Sequence, residues 1–366
     1  MKRNLFLIIG LIAFLFPMNL SAQEGPKISG FVQGLWQGNL NKDGDLTSNT
    51  FQARRVRMSV DGTLVKGLTY KIQGDFVRKP MLVDFYVKYK PCDEFAIQVG
   101  QFKTPFTMES PINPVNLEIF DYGESVQKLG GYSDVCGVGS LGRDLGIMAT
   151  GKLFKVEDKD FSLVEYSLGV FNGNGANEKD NNNRKDIVGR LYVHPGLKDL
   201  TLSGSYYYGS YRNATVEDQI AANGVAVGKT AFPNGVRNRW AAGVQYNDGK
   251  LVLRGEYSSG KTDGKIHGLD ENGESIILDY IQFSKGYYAV AGFNFALGKD
   301  KSQKLMPVLR YEHFNDDIVN GGTAYYTVGI NYWPVKSLNF KLDYSLIKPE
   351  TGNQSHRVVG ILSYKF

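Results

Sequence analysis

Apolar side chains recur at every second position in pieces of about ten residues, from Leu68, Tyr70, Ile72 and Phe76 to Leu338, Phe340, Leu342 and Tyr344. A period of two belongs to the β-strand, whose successive side chains point to opposite faces. About ten residues is also the length a tilted strand needs to cross a bilayer. Beyond Ala22 no apolar run is long enough for a spanning helix, so the choice lies between a soluble sandwich or propeller and a closed barrel in lipid. Lipid offers no partner to backbone amides and carbonyls, so only a closed sheet meets that second condition.

The composition fits the barrel. Among 366 residues there are 43 Gly, 22 Tyr and 21 Phe, and helical periodicity is missing. The last residues, His356 to Phe366, place Val358, Gly360, Leu362, Tyr364 and Phe366 on one face. A strand that ends on an aromatic, with another aromatic two residues earlier, looks like the terminal strand read by outer-membrane assembly machinery. At the other end Lys2 and Arg3 precede an apolar run from Leu5 to Met18 and then Leu20-Ser21-Ala22. This is the pattern of a secretory signal over residues 1–22, too short in its apolar part for an anchor helix. Cleavage after Ala22 leaves one domain, 23–366. The expected address is the bacterial outer membrane, with its lipid as a partner.

Alternating segments between Gly, Asn, Asp and Pro clusters number sixteen, an even count as bacterial barrels require. If the first strand runs outward, the turns Asp61 to Lys66, Pro91 to Glu94, Phe154 to Asp160, Pro195 to Asp199, Asn247 to Lys250, Leu297 to Lys304 and Trp333 to Ser337 are all short. The opposite set, Asn39 to Thr50, Lys103 to Arg143, Asn172 to Arg184, Arg212 to Val236 and Gly260 to Lys285, is mostly long and polar. Short turns on one side and long loops on the other are what such barrels have. Cys92 falls in a turn and Cys136 in a loop at the other end, so two unpaired thiols are expected.

Strand phase assigns fourteen basic residues to the inner wall: Arg55, Arg57, Lys71, Lys88, Lys90, Lys152, Arg190, Arg237, Arg239, Arg254, Arg310, Lys341, Arg357 and Lys365. Seven acidic residues share it: Asp75, Asp84, Asp144, Glu165, Glu256, Glu312 and Asp343. Rings of basic residues draw anions into a pore, and a low-dielectric wall strengthens their field. The bland alternative is cross-strand pairing, open to Arg310 with Glu312, Arg254 with Glu256 and Lys341 with Asp343.

Four stretches, Gly100 to Phe106 (Gly-Gln-Phe-Lys-Thr-Pro-Phe), Gly142 to Gly146, Phe171 to Gly175 and Pro307 to Glu312, resemble in order and spacing the phosphate-selective porins O and P. That family of outer-membrane channels has many relatives in bacteroidetes. The resemblance spans nearly the whole mature chain. It implies an all-β transmembrane antiparallel barrel of sixteen strands, a homotrimer, a long third outer loop folded into the lumen and basic residues that guide small anions, phosphate among them. The corresponding loop here is bracketed by Lys103 and Arg143. Between them lie Glu109, Glu118, Asp121, Glu124 and Asp134 against one basic residue, Lys128. An acidic loop facing a basic wall is expected to set up a transverse field.

Other chemistry finds little support. His194, His267, His313 and His356 are scattered without metal-ligand spacing, and no serine stands by a histidine with an orienting partner. Asp43-Gly44-Asp45 and Asp270 to Glu274 read as solvated loop tips rather than calcium sites. Arg54 to Arg57 would hint at nucleic acid only in a cytosolic chain. The reading is a passive channel without cofactor, metal or nucleic-acid partner. The alternatives are an adhesin or surface antigen that uses its long loops on a barrel anchor, and a barrel hydrolase acting on lipid.

Overall fold

A backbone amide at the depth of a bilayer has only the chain itself to bond to. In this computed structural model each crossing is hydrogen-bonded on both sides. The structure describes residues 24–138, 141–157, 161–212, 235–269, 273–299, 301–317 and 321–366. The leader 1–22, almost all of the loop expected over Arg212 to Val236, and the tip Asp270 to Asn272 lie outside the described residues.

The strands run β1 (Glu24–Leu40), β2 (Leu46–Val65), β3 (Leu68–Asp75), β4 (Leu82–Tyr89), β5 (Ala96–Lys103), β6 (Arg143–Lys155), β7 (Ser162–Phe171), β8 (Asp186–Val193) and β9 (Leu200–Tyr211). They continue as β10 (Gly235–Asn247), β11 (Leu251–Leu269), β12 (Ser275–Phe293), β13 (Phe295–Leu297), β14 (Gln303–Asn315), β15 (Thr323–Val335), β16 (Leu338–Pro349) and β17 (Ser355–Lys365). β12 and β13 both pair with β14 and are separated by Asn294 alone, so they form one crossing. The seventeen strands therefore make sixteen crossings, all joined to sequence neighbours in antiparallel pairs.

Closure comes from β1 against β17, in register from Phe31 opposite Lys365 to Leu40 opposite His356. The last residue adds to it: Gly30 and Phe366 exchange backbone hydrogen bonds at 3.0 and 3.1 Å. A Cβ on Gly30 would stand 2.4 Å from the Arg57 carbonyl and 2.6 Å from the Phe366 ring, so this seam requires glycine.

Several boundaries differ from the sequence reading. Residues 46–50, 260–269 and 275–285, expected in loops, belong to strands, because the hairpins β1–β2 and β11–β12 extend beyond the other strands. Polar side chains in the first two look like loop residues to a hydrophobic period, yet hairpin hydrogen bonding needs no apolar face. The turn Asp61 to Lys66 likewise shrinks to Lys66 and Gly67. Both cysteines are free thiols.

The two faces differ as the alternation requires. On β16, Asn339, Lys341, Asp343 and Ser345 are buried inside while Phe340, Leu342 and Tyr344 are exposed outside. An inner face this dry needs something in the lumen. A charge on the outer face meets lipid instead, so Leu342→Arg near the middle of β16 should cost about 2–4 kcal/mol. Unfolding of the refolded barrel in denaturant measures it; a loss near zero would place that face in water.

Candidate functional site

The described residues of the connection between β5 and β6, 104–138 and 141–142, pack into the lumen. The chain turns inward, makes a single 3-10 turn at Pro114–Asn116, where the Asn113 side chain accepts from the Val115 amide at 3.3 Å, and then a short helix α1 (Glu124–Leu129). Apolar contact seats it. Leu117, Ile119, Tyr122 and Val126 pack on Tyr288, Val290 and Val308 of the wall, and Phe106 and Leu129 pack with Phe171, Val188, Tyr207 and Ala241.

Ion pairs fix the position. Arg239 of β10 grips Asp134 with two bonds of 2.6 Å and donates to the Leu129 carbonyl at 2.7 Å. Arg310 of β14 holds Glu109 at 2.6 Å, and Arg254 of β11 contacts Glu118 at 2.6 Å. Lys341 of β16 donates to the carbonyls of Leu117 and Ile119 at 2.6 and 2.9 Å. The Glu109 carboxylate also accepts from the Gly123 amide at 2.7 Å. A Cβ on Gly123 would lie 1.9 Å from the Arg310 guanidinium, so the approach requires glycine.

A β-bulge in β2 adds a contact that the sequence reading missed. Gln33 pairs with Arg55 and Gly34 with Ala53, which leaves Arg54 as an extra residue. Both arginines then reach the same carboxylate: Arg54 lies 2.6 Å and Arg55 3.2 Å from Asp121. Strict alternation would send Arg54 to lipid; the bulge removes that cost.

The other nominated residues divide clearly. Arg57 is held by Asp75 at 2.9 Å and Arg143 by Asp84 at 2.8 Å, wall to wall. Arg237 binds Asp186 and the Tyr207 hydroxyl and stands 3.8 Å from Asp134. Arg357 stacks over Phe120 at 4.3 Å. Lys103 and Arg143 belong to the ends of β5 and β6, and Lys103 turns its ammonium onto the Ser110 and Ile112 carbonyls and the Tyr122 hydroxyl. Glu124 and Lys128 face each other at 3.9 Å along α1. Lys71 and Lys88 have no ion-pair partner among the described residues. Arg190 has none either; it stacks on Tyr192 at 4.5 Å and donates to the Thr107 carbonyl at 3.2 Å.

The expected transverse field is therefore replaced, over much of the wall, by direct contact. Arg55, Arg239, Arg254, Arg310 and Lys341 are buried beneath the loop rather than bathed in water. Their arrangement recasts the sequence expectation: alternation finds the inner face but not what covers it. At the turn end a cavity of about 950 Å³ is bordered by Lys250, Lys301, Lys304, Lys336 and Lys365. No group of His, Cys, Asp and Glu suited to a metal occurs among the described residues.

Loop titration follows from the pairing. Burial raises Glu109, but Arg310 and Arg254 more than reverse this and hold its carboxyl below the ordinary range. Asp134 is lowered in the same way, burial being outweighed by Arg239. Cys136 is pushed up to about 11, by burial first and then by Asp134 beside it.

The family described as phosphate-selective porin O and P matches residues 30–360. No curated protein sequence matches. Among solved structures, the anion-selective porin from Comamonas acidovorans has a TM-score of 0.61 at 15% identity, covering 93% of this chain and 99% of that one. OmpF of Salmonella typhi, in complex with daunomycin, has a TM-score of 0.61 at 12% identity over 93% and 97%. The trimer form of in-vitro folded OmpT from Vibrio cholerae has 0.58 at 12% over 94% and 100%. At these identities the likeness is one of fold.

Two outcomes are expected. Arg239→Leu removes both short bonds to buried Asp134 and leaves it Arg237 at 3.8 Å as its only ion-pair partner among the described residues, a change worth up to about 3–5 kcal/mol, and should unseat the loop. Limited proteolysis within residues 123–137 should accelerate; unchanged protection would make the pair dispensable. Secondly, a carboxyl whose folded pKa is depressed stabilises above its unfolded value and loses that stabilisation as pH falls through the folded one. Loop protection should then hold from neutral pH to about 4, the ordinary carboxylate value, and fail only below it. Failure at pH 5 to 6, about a unit or more above that value, would contradict the assignment.

Proposed function

Because the chain belongs to the phosphate-selective porin O and P family, we propose that it works as a passive outer-membrane channel for small hydrophilic solutes, with a preference for anions that extends to phosphate. In this reading residues 1–22 direct export and are removed, the mature barrel sits in outer-membrane lipid as a homotrimer, and no chemistry is performed on the solute. The trimer form of OmpT, similar in fold, supports the assembly state.

One observation carries the preference. Loop carboxylates Glu109, Glu118, Asp121 and Asp134 are each matched to wall arginines, whereas Lys71, Lys88 and Arg190 keep their charge without a carboxylate. A matched pair contributes little field at a distance. An unmatched cation on a low-dielectric wall attracts anions with little screening from the protein. Selectivity thus falls to the side lined by β3, β4 and β8, and passage there needs only weak, repeated contacts.

Planar-bilayer recordings across a salt gradient test this. The wild-type reversal potential should favour chloride over potassium. The triple variant Lys71→Gln, Lys88→Gln, Arg190→Gln should lower that permeability ratio by at least about twofold. No conductance would sink the channel, a cation-favouring potential the preference, and an unchanged ratio the three residues.

A further inference from the structure

Beneath the loop, between it and the wall of β2 to β6, lies a cavity of about 270 Å³, room for about nine waters. Three polar side chains line it without any hydrogen-bond or ion-pair partner among the described residues: the Lys71 ammonium, the Tyr86 hydroxyl and the Gln98 amide. They are neighbours by register, since Lys71 lies opposite Tyr86 on β3 and β4, and Gln98 of β5 lies opposite Lys88 on β4 and Met148 on β6. Gln98 is only 7% exposed. Its amide opens on the cavity with no protein partner among the described residues, so the position can meet a hydrogen-bonding guest or water.

The remaining lining limits that guest. Arg57 and Arg143 border the cavity but are already engaged by Asp75 and Asp84, and the Lys103 ammonium is taken up by the Ser110 and Ile112 carbonyls and the Tyr122 hydroxyl, which leaves Lys71 as the lining cation without a bonded partner among the described residues. Phe102, Pro111 and Met148 supply an apolar wall, with the Tyr86 ring edge-on to Phe102 at 6.0 Å. Inorganic phosphate could take the ammonium but has no carbon to lay on these side chains. A neutral sugar could satisfy the amide and phenol but leaves the ammonium without a counter-charge. A guest that answers all three has one carboxylate, several hydroxyls and a short carbon chain.

We propose that this cavity is a weak binding subsite for hydroxylated organic monoanions of the sugar-acid class. The guest's carboxylate meets Lys71, its hydroxyls meet Gln98 and Tyr86, and its carbon chain lies along Phe102 and Met148. The subsite deepens the channel reading, on which it rests for its physiological use, but its occupancy can be measured without current.

Titration calorimetry on the detergent-solubilised full-length barrel, with gluconate, glucose and inorganic phosphate as probes, tests it. Gluconate is expected to bind in the millimolar range, at least about fivefold tighter than either competitor. Lys71→Gln should abolish the advantage of gluconate over glucose, and Tyr86→Phe should weaken gluconate about threefold. Lys336→Gln, at the separate turn-end cavity, should change nothing. Unheated gel mobility verifies that each variant is folded. Equal binding of phosphate or glucose, or indifference to Lys71→Gln, would overturn the subsite. Because binding is read without conductance, a silent bilayer recording alongside tight gluconate binding would reject the channel and retain the subsite.

Discussion

Arg239 with Asp134, Arg310 with Glu109, Arg254 with Glu118 and the Arg54–Arg55 fork on Asp121 hold the lumen in its present form. Each buries at least one arginine, and Asp134 and Glu109 are buried completely, where an unmatched charge would be costly and a matched one is tolerable only with good geometry. The closed sheet makes this possible: closure removes the open edge and gives a rigid frame from which arginines on separate strands converge on one loop. Without the frame the arginines would have no fixed direction, and without the loop the wall would be a water-filled ring of cations.

The pairing changes where function resides. A basic wall seen as a list of residues suggests many equivalent anion contacts. In three dimensions the arginines from β10 round to β2 are largely occupied with the loop, Arg357 through the Phe120 ring and Lys341 beside them through loop carbonyls, whereas Lys71, Lys88 and Arg190 lie on the opposite arc without an ion pair among the described residues. The electrostatic asymmetry of the lumen thus arises from which carboxylate each strand meets, with the net charge of the chain playing a minor part. The same loop that packs into the lumen also decides which wall charges are left without a carboxylate.

Much of this was legible in the sequence, and the reasons are physical. Strand number and the inner and outer faces follow from a period of two, which lipid outside and polar groups inside enforce on β16 as on most crossings. The Arg54 contact was not legible, because a single inserted residue at the bulge inverts the phase without any change in composition. The occupation of the wall was partly legible: Val188, Val290 and Val308 sit at inward positions. Valine facing a lumen is a sign that something apolar covers it. The extended hairpins β1–β2 and β11–β12 were missed because residues 46–50 and 260–269 are largely polar, although Ile281 and Phe283, exposed between the buried Gln282 and Ser284, keep a period of two on β12.

The central claim is that the loop seals the wall arginines while Arg190 stays accessible. Arginine-specific modification of the folded barrel by a dicarbonyl reagent, located by mass spectrometry, tests it most directly. Arg184, exposed on an outer loop, should react first and Arg190 next, with Arg239, Arg254 and Arg310 protected until the barrel is unfolded. Reaction of Arg239, Arg254 and Arg310 in the folded barrel as fast as Arg190 would contradict the account.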